Sequence, residues 1–249
     1  GWNECDDVIR LFLVRQMIAR RMGFSKLNRL FNGPYASSRT EDAFVAGEHF
    51  LLMPLTTTIY PLVAAHKTED SRQIIDLLRR DSPAFAVDGL NATKTLKAMI
   101  DTSRALVGQL ETFWTSGTVK DVLQFCVDKQ IIRASEKLCE HLERVPRAEE
   151  YDESIHSLDK GDWLADAFFS MDTTEIPPYT SFISKNTAYS TQHGVKGEEY
   201  PKVVVVYDDI EASWSNYSFC KILTPETAGE PTDGQRARSR KLAYVSFSR

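Results

Sequence analysis

The chain has 249 residues, 42% apolar and 26% charged, enough for one large domain or two modest ones, each with its own core. Lys and Arg number 30 against 35 Asp and Glu, for a net charge of -5, which excludes a wholly basic nucleic-acid coat but not a local basic surface. No run approaches the ~18 apolar residues of a membrane span. The opening Gly1–Asp7 lacks the basic-then-apolar order of a secretory signal. Cys5, Cys126, Cys139 and Cys220 are too irregularly spaced for a disulfide scaffold or a zinc site, and the five histidines form no H-E-x-x-H motif. The expectation is a cytoplasmic protein with no metal site of its own and no membrane partner.

In chain order, Val8–Val14 is rich in β-branched and apolar residues and predicts a buried strand. Met17–Phe31 follows with helical spacing, an apolar stripe and a basic flank, interrupted at Gly23. Residues 32–66 carry Gly33-Pro34, Pro54 and Pro61 and read as loops with short helical pieces. Residues 69–80, 91–113 and 119–144 place Leu, Ile and Val at three- and four-residue intervals and predict helices, with Pro83 and Pro146 as punctuation. Lys202–Tyr207 contains four consecutive valines, the strongest strand signal in the chain. Residues 223–240 read as loop, and Leu242–Phe247 as a second strand or strand-to-turn segment. The simplest account is an α/β layer interrupted by a helical block: residues 1–34 and 182–249 as one discontinuous domain, and 35–181 as a mostly helical inserted domain.

Chemistry-bearing residues concentrate near the end. Thr191–Tyr200 is a polar segment feeding the valine strand; taken alone it reads as a hydrophilic turn with His193 at the surface. It enters that strand at its amino end, whereas open α/β sheets bind ligands at carboxyl ends. Asp208-Asp209 superficially resembles a magnesium-binding strand end, but strand termination is the simpler reading. Gly89–Thr95 is the nearest approach to a phosphate-binding loop; it lacks the second glycine and follows no strand, so it reads as a helix start. Arg236, Arg238, Arg240 and Lys241 form either a solvated loop or a phosphate-neutralising one, and the cluster Arg15, Arg20, Arg21, Lys26 and Arg29 reads first as a solvated face, with a binding face as the alternative. Trp114, Trp163 and Trp214 read as core or packing residues rather than base-stacking platforms.

Thr191-x-His193-x-x-Lys196-Gly197-x-Glu199-Tyr200 resembles the fifth motif of superfamily 1 helicases of the UvrD/Rep type, T-x-H-x-x-K-G-x-E-[FWY]. Lys241–Arg249 resembles their sixth, R-L-x-Y-V-A-x-T-R, with Lys for the first Arg and Ser for the Ala and the Thr. Leu11–Arg15 resembles the fourth, a strand ending in arginine. The acidic residue that often precedes the sixth motif is replaced by the basic run.

The resemblance implies a RecA-like second motor domain of the P-loop NTPase type, interrupted by the family's helical insertion. ATP and Mg2+ would be held mainly by a first motor domain absent from this sequence. It implies that Arg15 and Arg249 reach the γ-phosphate as catalytic and nucleotide-binding residues, that Gly197 lets backbone approach the phosphates, and that Glu199 sits near the sugar. Thr191 and His193 would contact single-stranded DNA, and Lys196 would support that surface or the nucleotide's. The implied activity is an ATP-dependent helicase or translocase on single-stranded or partly duplex DNA, usually stepping 3'-to-5', with this chain alone inactive. The short opening strand and helix also resemble compact helicases of Gabija-type antiphage systems, which would bring a nuclease subunit as partner. Two rivals stand beside it: a catalytically inactive helicase-like module that binds DNA or protein, and an unrelated α/β scaffold.

Overall fold

A computed structural model of the chain describes residues 8–12, 14–91, 95–185, 187–191, 199–212 and 216–247, with backbone alone at 96, 211–212 and 245–247. The elements in order are β1 (Ile9–Phe12), α1 (Arg15–Met22), α2 (Ser25–Phe31), α3 (Ser38–Ala46), a π-helical turn (Leu55–Ile59), α4 (Tyr60–Lys67), α5 (Ser71–Asp81), a 3-10 turn (Pro83–Phe85), α6 (Leu96–Ser116), α7 (Val119–Asp128), α8 (Glu136–Glu143), α9 (Glu153–His156), α10 (Lys160–Phe169), α11 (Ile176–Ile183), β2 (Tyr189–Thr191), β3 (Val203–Val206), α12 (Asp209–Ala212), α13 (Phe219–Leu223), α14 (Pro225–Ala228) and α15 (Asp233–Phe247). The architecture is mixed α/β, mostly helical, with one small parallel sheet. No helix of the described residues is long and apolar enough to cross a membrane.

The chain divides into two compact units, residues 1–25 with 184–249 and residues 26–183. The expected boundary near 34 therefore moves to the start of α2. Its cause is the helix's own chemistry: Leu27, Asn28 and Phe31 are buried, and Phe31 stacks on Phe44 with centroids 5.1 Å apart and meets Phe168 edge-on at 5.5 Å. Gly23 separates α2 from α1, its left-handed φ of 90° closing α1 through a bond from its N–H to the Ala19 carbonyl. The helical segment expected over 17–31, with its interruption at Gly23, is thus two helices serving two units.

In the first unit, β1 is central and pairs in parallel with both neighbours, giving the order β2-β1-β3. Val8, Leu11 and Phe12 are buried, and α1 covers the sheet with Met17, Ile18 and Ala19, each fully buried. The four valines of β3 are all half-buried rather than enclosed, because β3 is an edge strand of the described sheet. A second correction concerns the end of the chain: the segment expected as strand or strand-to-turn, Leu242–Phe247, lies in helix α15 together with the last part of the expected loop, from Asp233 on. Burial explains why. Ser239 and Leu242, three residues apart, are buried while Tyr244 is 73% exposed, whereas strand alternation would put Leu242 and Tyr244 on one face.

The second unit is helical. Residues 32–66, expected as loops with short helical pieces, hold α3, the π-helical turn and nearly all of α4. Ser37 caps α3 by accepting the Thr40 N–H at 3.2 Å. The π turn follows from Pro61, which cannot donate to the Thr57 carbonyl and whose ring would crowd it. Arg80 Nη2 donates to that carbonyl instead, at 3.2 Å, and Tyr60 N–H bonds back to Leu55 O. The helix expected over 119–144 is two. Gln130, with φ 54°, turns the chain after α7, and its carbonyl accepts from Ser82 Oγ at 2.6 Å. Thr95 caps α6 through the Ala98 N–H at 3.3 Å, so the Gly89–Thr95 stretch ends in a helix cap.

Trp114 and Trp163 are buried in this unit, as core residues; Trp214 lies outside the described residues. Arg144 and Arg147 tie α8 and its exit to α10: Arg144 Nη2 lies 2.6 Å from Asp166 Oδ1 and Arg147 Nη2 2.7 Å from Asp162 Oδ2. The carboxylate of Glu175 accepts the N–H groups of Lys26 (3.3 Å) and Leu27 (2.8 Å), joining the amino end of α2 to a residue 148 positions further on. Because it satisfies two otherwise orphaned donors, Glu175→Ala should cost about 1–2 kcal/mol, read as a lower urea midpoint with unchanged slope. A cost below about 0.3 kcal/mol would show that water replaces the cap.

Candidate functional site

Parallel pairing aligns the strand ends. Phe12 is level with Thr191 on one side and with Val206 on the other, so all three strands end at one carboxyl edge. The backbone bond from Arg10 N–H to Ala188 O (2.7 Å) and that from Ile9 N–H to Lys202 O (3.1 Å) hold the register. The segment beginning at Thr191 was expected only as the entry to the valine strand. Tyr189–Thr191 is itself a strand, so this segment leaves a carboxyl end, where parallel sheets bind ligands. Val203, the first residue of β3, lies at the opposite, amino edge, level with Ile9.

Arg15 is the first residue of α1, three positions beyond the end of β1, exposed, and without an ion-pair or hydrogen-bond partner among the described residues. The amino end of α1 has no side-chain cap at Val14 and no acid in its first turn, so its N–H dipoles are uncompensated by local carboxylates. A guanidinium at such a helix start suits a phosphate chemically. Thr191 shares this edge and is half-buried. Glu199 is exposed, on the approach to β3 rather than at the strand ends. Gly197, His193, Lys196 and Arg249 lie outside the described residues. Of the expected site, the structure therefore brings Arg15 and Thr191 to one edge and keeps Glu199 in a separate part of the chain.

Other residues near the sheet have structural work. Arg21 lays its guanidinium 4.6 Å from the Phe12 ring centroid and donates to the Met17 carbonyl at 3.1 Å. Arg10 sits 5.8 Å from the Tyr189 ring and donates to the Val8 carbonyl at 3.1 Å. Both are thereby engaged in packing the sheet, whereas Arg15 is not. Asp208 Oδ1 accepts the Ile210 N–H at 3.0 Å, and Asp209 Oδ2 accepts the Cys220 N–H at 2.8 Å and the Ser218 hydroxyl at 3.3 Å. Both acids stop β3 and organise the helices after it, in keeping with strand termination.

The basic run sits on α15, not on a loop. Arg236 pairs with Glu230 at 2.8 Å, while Arg238, Arg240 and Lys241 are exposed and have no ion-pair partner among the described residues. Their shared helix, and the exposed Tyr244 beside them, were missed because Leu242, Tyr244 and Ser246-Phe247 mimic strand alternation. The signal that could have found the helix is the small and apolar series Ala237, Leu242 and Ala243 among good helix formers, with no Gly or Pro after Gly234.

No protein-family model matches the chain, and neither a curated protein nor a solved structure matches it.

Proposed function

We propose that this chain is the second motor half of a superfamily 1 ATP-dependent DNA helicase or translocase of RecA-like design, acting on single-stranded DNA together with a first motor domain that carries the phosphate-binding loop. One observation carries the reading: the fourth-motif segment ending at Arg15 and the fifth-motif segment starting at Thr191 leave adjacent parallel strands at the same edge. Residues assigned to nucleotide and to DNA thus issue from two hydrogen-bonded strands, so a small shift of one is felt by the other. ATP and Mg2+ supply the driving chemistry when bound. Arg15, exposed and without an ion-pair partner among the described residues, would hold the terminal phosphate and stabilise its developing charge. The resemblance gives the same role to Arg249, nucleotide contacts to Gly197 and Glu199, and DNA contacts to Thr191, His193 and Lys196; of these His193, Lys196, Gly197 and Arg249 lie outside the described residues.

The test is ATP turnover by the complete protein with and without single-stranded DNA, alongside Arg15→Ala, Arg249→Ala and Thr191→Ala. DNA-stimulated turnover should collapse in both arginine variants while DNA binding persists, and Thr191→Ala should weaken the stimulation. No turnover with DNA and partner proteins present would overturn the motor reading and leave the non-catalytic binding module.

A further inference from the structure

We infer that the exposed face of α15 is a further contact surface for single-stranded DNA, with Arg238, Arg240 and Lys241 meeting phosphates and Tyr244 stacking on a base. The inference deepens the motor reading and rests on it for the choice of ligand.

The helix has two opposite faces. Ser239 is fully buried, its Oγ accepting the Ser218 N–H at 3.1 Å, and Leu242 is 8% exposed, so this face is fixed against the sheet-bearing unit. At about 100° per residue, Arg240, Lys241 and Tyr244 fall within somewhat more than a quarter turn of one another on the other side, with Arg238 about 60° beyond Lys241, at the edge toward Leu242. From Arg238 to Tyr244 the rise along the helix is about 9 Å.

Structural explanations for these residues fail one by one. Cations near a helix carboxyl end are stabilised by its dipole, but α15 has no basic residue in its last turn. Ion pairing would explain them, yet the nearby Glu230 is already taken by Arg236 at 2.8 Å, and Asp233 is the one acid on the helix. Packing would explain Tyr244, but 73% of it is exposed. What remains is a ring flanked at three and four residues by a lysine and an arginine, on a chain whose net charge is -5. Repelling cations clustered against an acidic background suit an anionic ligand. An aromatic face among them suits a nucleobase better than an acidic peptide, which has no flat partner to stack.

The experiment measures binding of the protein to a fluorescein-labelled oligothymidylate by anisotropy across a salt series, without nucleotide. The charge-neutralised variant Arg238→Gln/Arg240→Gln/Lys241→Gln should lower the slope of log affinity against log salt by about 2, at about 0.7 per phosphate contact on a single strand. Tyr244→Ala should weaken binding about tenfold and Tyr244→Phe should not, since stacking needs the ring and not the hydroxyl. All substitutions are at exposed positions, and unchanged far-UV circular dichroism verifies the helix. An unchanged slope in the triple variant overturns the inference. So does displacement of the oligonucleotide by polyglutamate as readily as by unlabelled oligothymidylate, which would mark an acidic-peptide surface. DNA-stimulated turnover with an unchanged slope removes this surface and leaves the motor; a lowered slope without turnover removes the motor and leaves the surface.

Discussion

Replacing Phe31 by alanine should destabilise the helical unit by about 3–5 kcal/mol, the cost of removing a buried ring and leaving most of its cavity unfilled. Phe31 is fully buried and lies at the meeting point of four partners: Phe44 stacked at 5.1 Å, His49 edge-on at 4.9 Å, Phe168 edge-on at 5.5 Å, and, through Phe44, Tyr179 at 4.7 Å. These residues come from α2, α3, α10, α11 and the loop after α3, so the ring links the first helices of the unit to its last ones. Collapse of that hole is resisted by Tyr179, whose hydroxyl donates to the Phe44 carbonyl at 2.6 Å and so cannot move in without breaking a buried bond. Phe31→Leu, which keeps most of the volume and loses the ring contacts, should cost about 1–2 kcal/mol. Urea unfolding followed by far-UV circular dichroism gives both numbers. A loss under about 1 kcal/mol for the alanine variant would mean that α2 does not anchor this core, and the boundary between the two units would return to the loop after it.

That boundary shows where sequence reasoning stops. Val8–Val14 and Lys202–Tyr207 announce β1 and β3 because β-branched runs have few other uses, and the helices over 71–81 and 119–128 follow from apolar spacing alone. The division of 17–31 at Gly23 is suggested by the residue, but which side joins which core is decided by Phe31 meeting Phe168 and by Glu175 capping the start of α2, contacts between residues more than a hundred positions apart. Pro54 and Pro61 read as breakers, yet one precedes a π turn and the other is accommodated because Arg80, from a different helix, takes the abandoned carbonyl. Such rescue is invisible locally. Tyr189–Thr191 escaped notice because three polar or aromatic residues carry no period; pairing with β1 makes them a strand. The candidate site was legible in residue type at Arg15 and Thr191, and their common edge required the parallel register. On α15 the local pattern misled, since Leu242 and Tyr244 alternate as a strand would while Ser239 and Leu242 set the actual face.

Acid should weaken this protein well before its carboxylates protonate, and His49 is the reason. Its imidazole is nearly enclosed, with Phe31 and Phe50 each 4.9 Å away, and its Nδ1 faces the Leu51 N–H at 3.4 Å. Burial, then the nearby charges of Lys137 and His141, lower its pKa from 6.5 to about 4. His141 is lowered too, by burial first, with Arg144 and Lys137 adding to that against the opposing carboxylates of Asp162 and Asp166. Both imidazoles are therefore neutral in the folded chain at a pH where the unfolded chain protonates them. The unfolded state binds more protons between the two pKa values, so stability is full above about pH 6.5 and declines as the pH falls toward 4. At about 1.4 kcal/mol per tenfold, His49 alone accounts for roughly 3 kcal/mol of that decline, and His141 acts in the same direction. His49→Gln keeps an acceptor for the Leu51 N–H and removes the titration. It should be less stable than the parent at pH 7 and should lose much less on going to pH 4.5. Unfolding midpoints measured at both pH values decide the matter: parallel losses in parent and variant would show that His49 takes up its proton in the fold as readily as in the unfolded chain, and the acid sensitivity over this range would then belong to His141, because the depressed carboxylates of Asp81 and Asp172 lose their contribution only at lower pH.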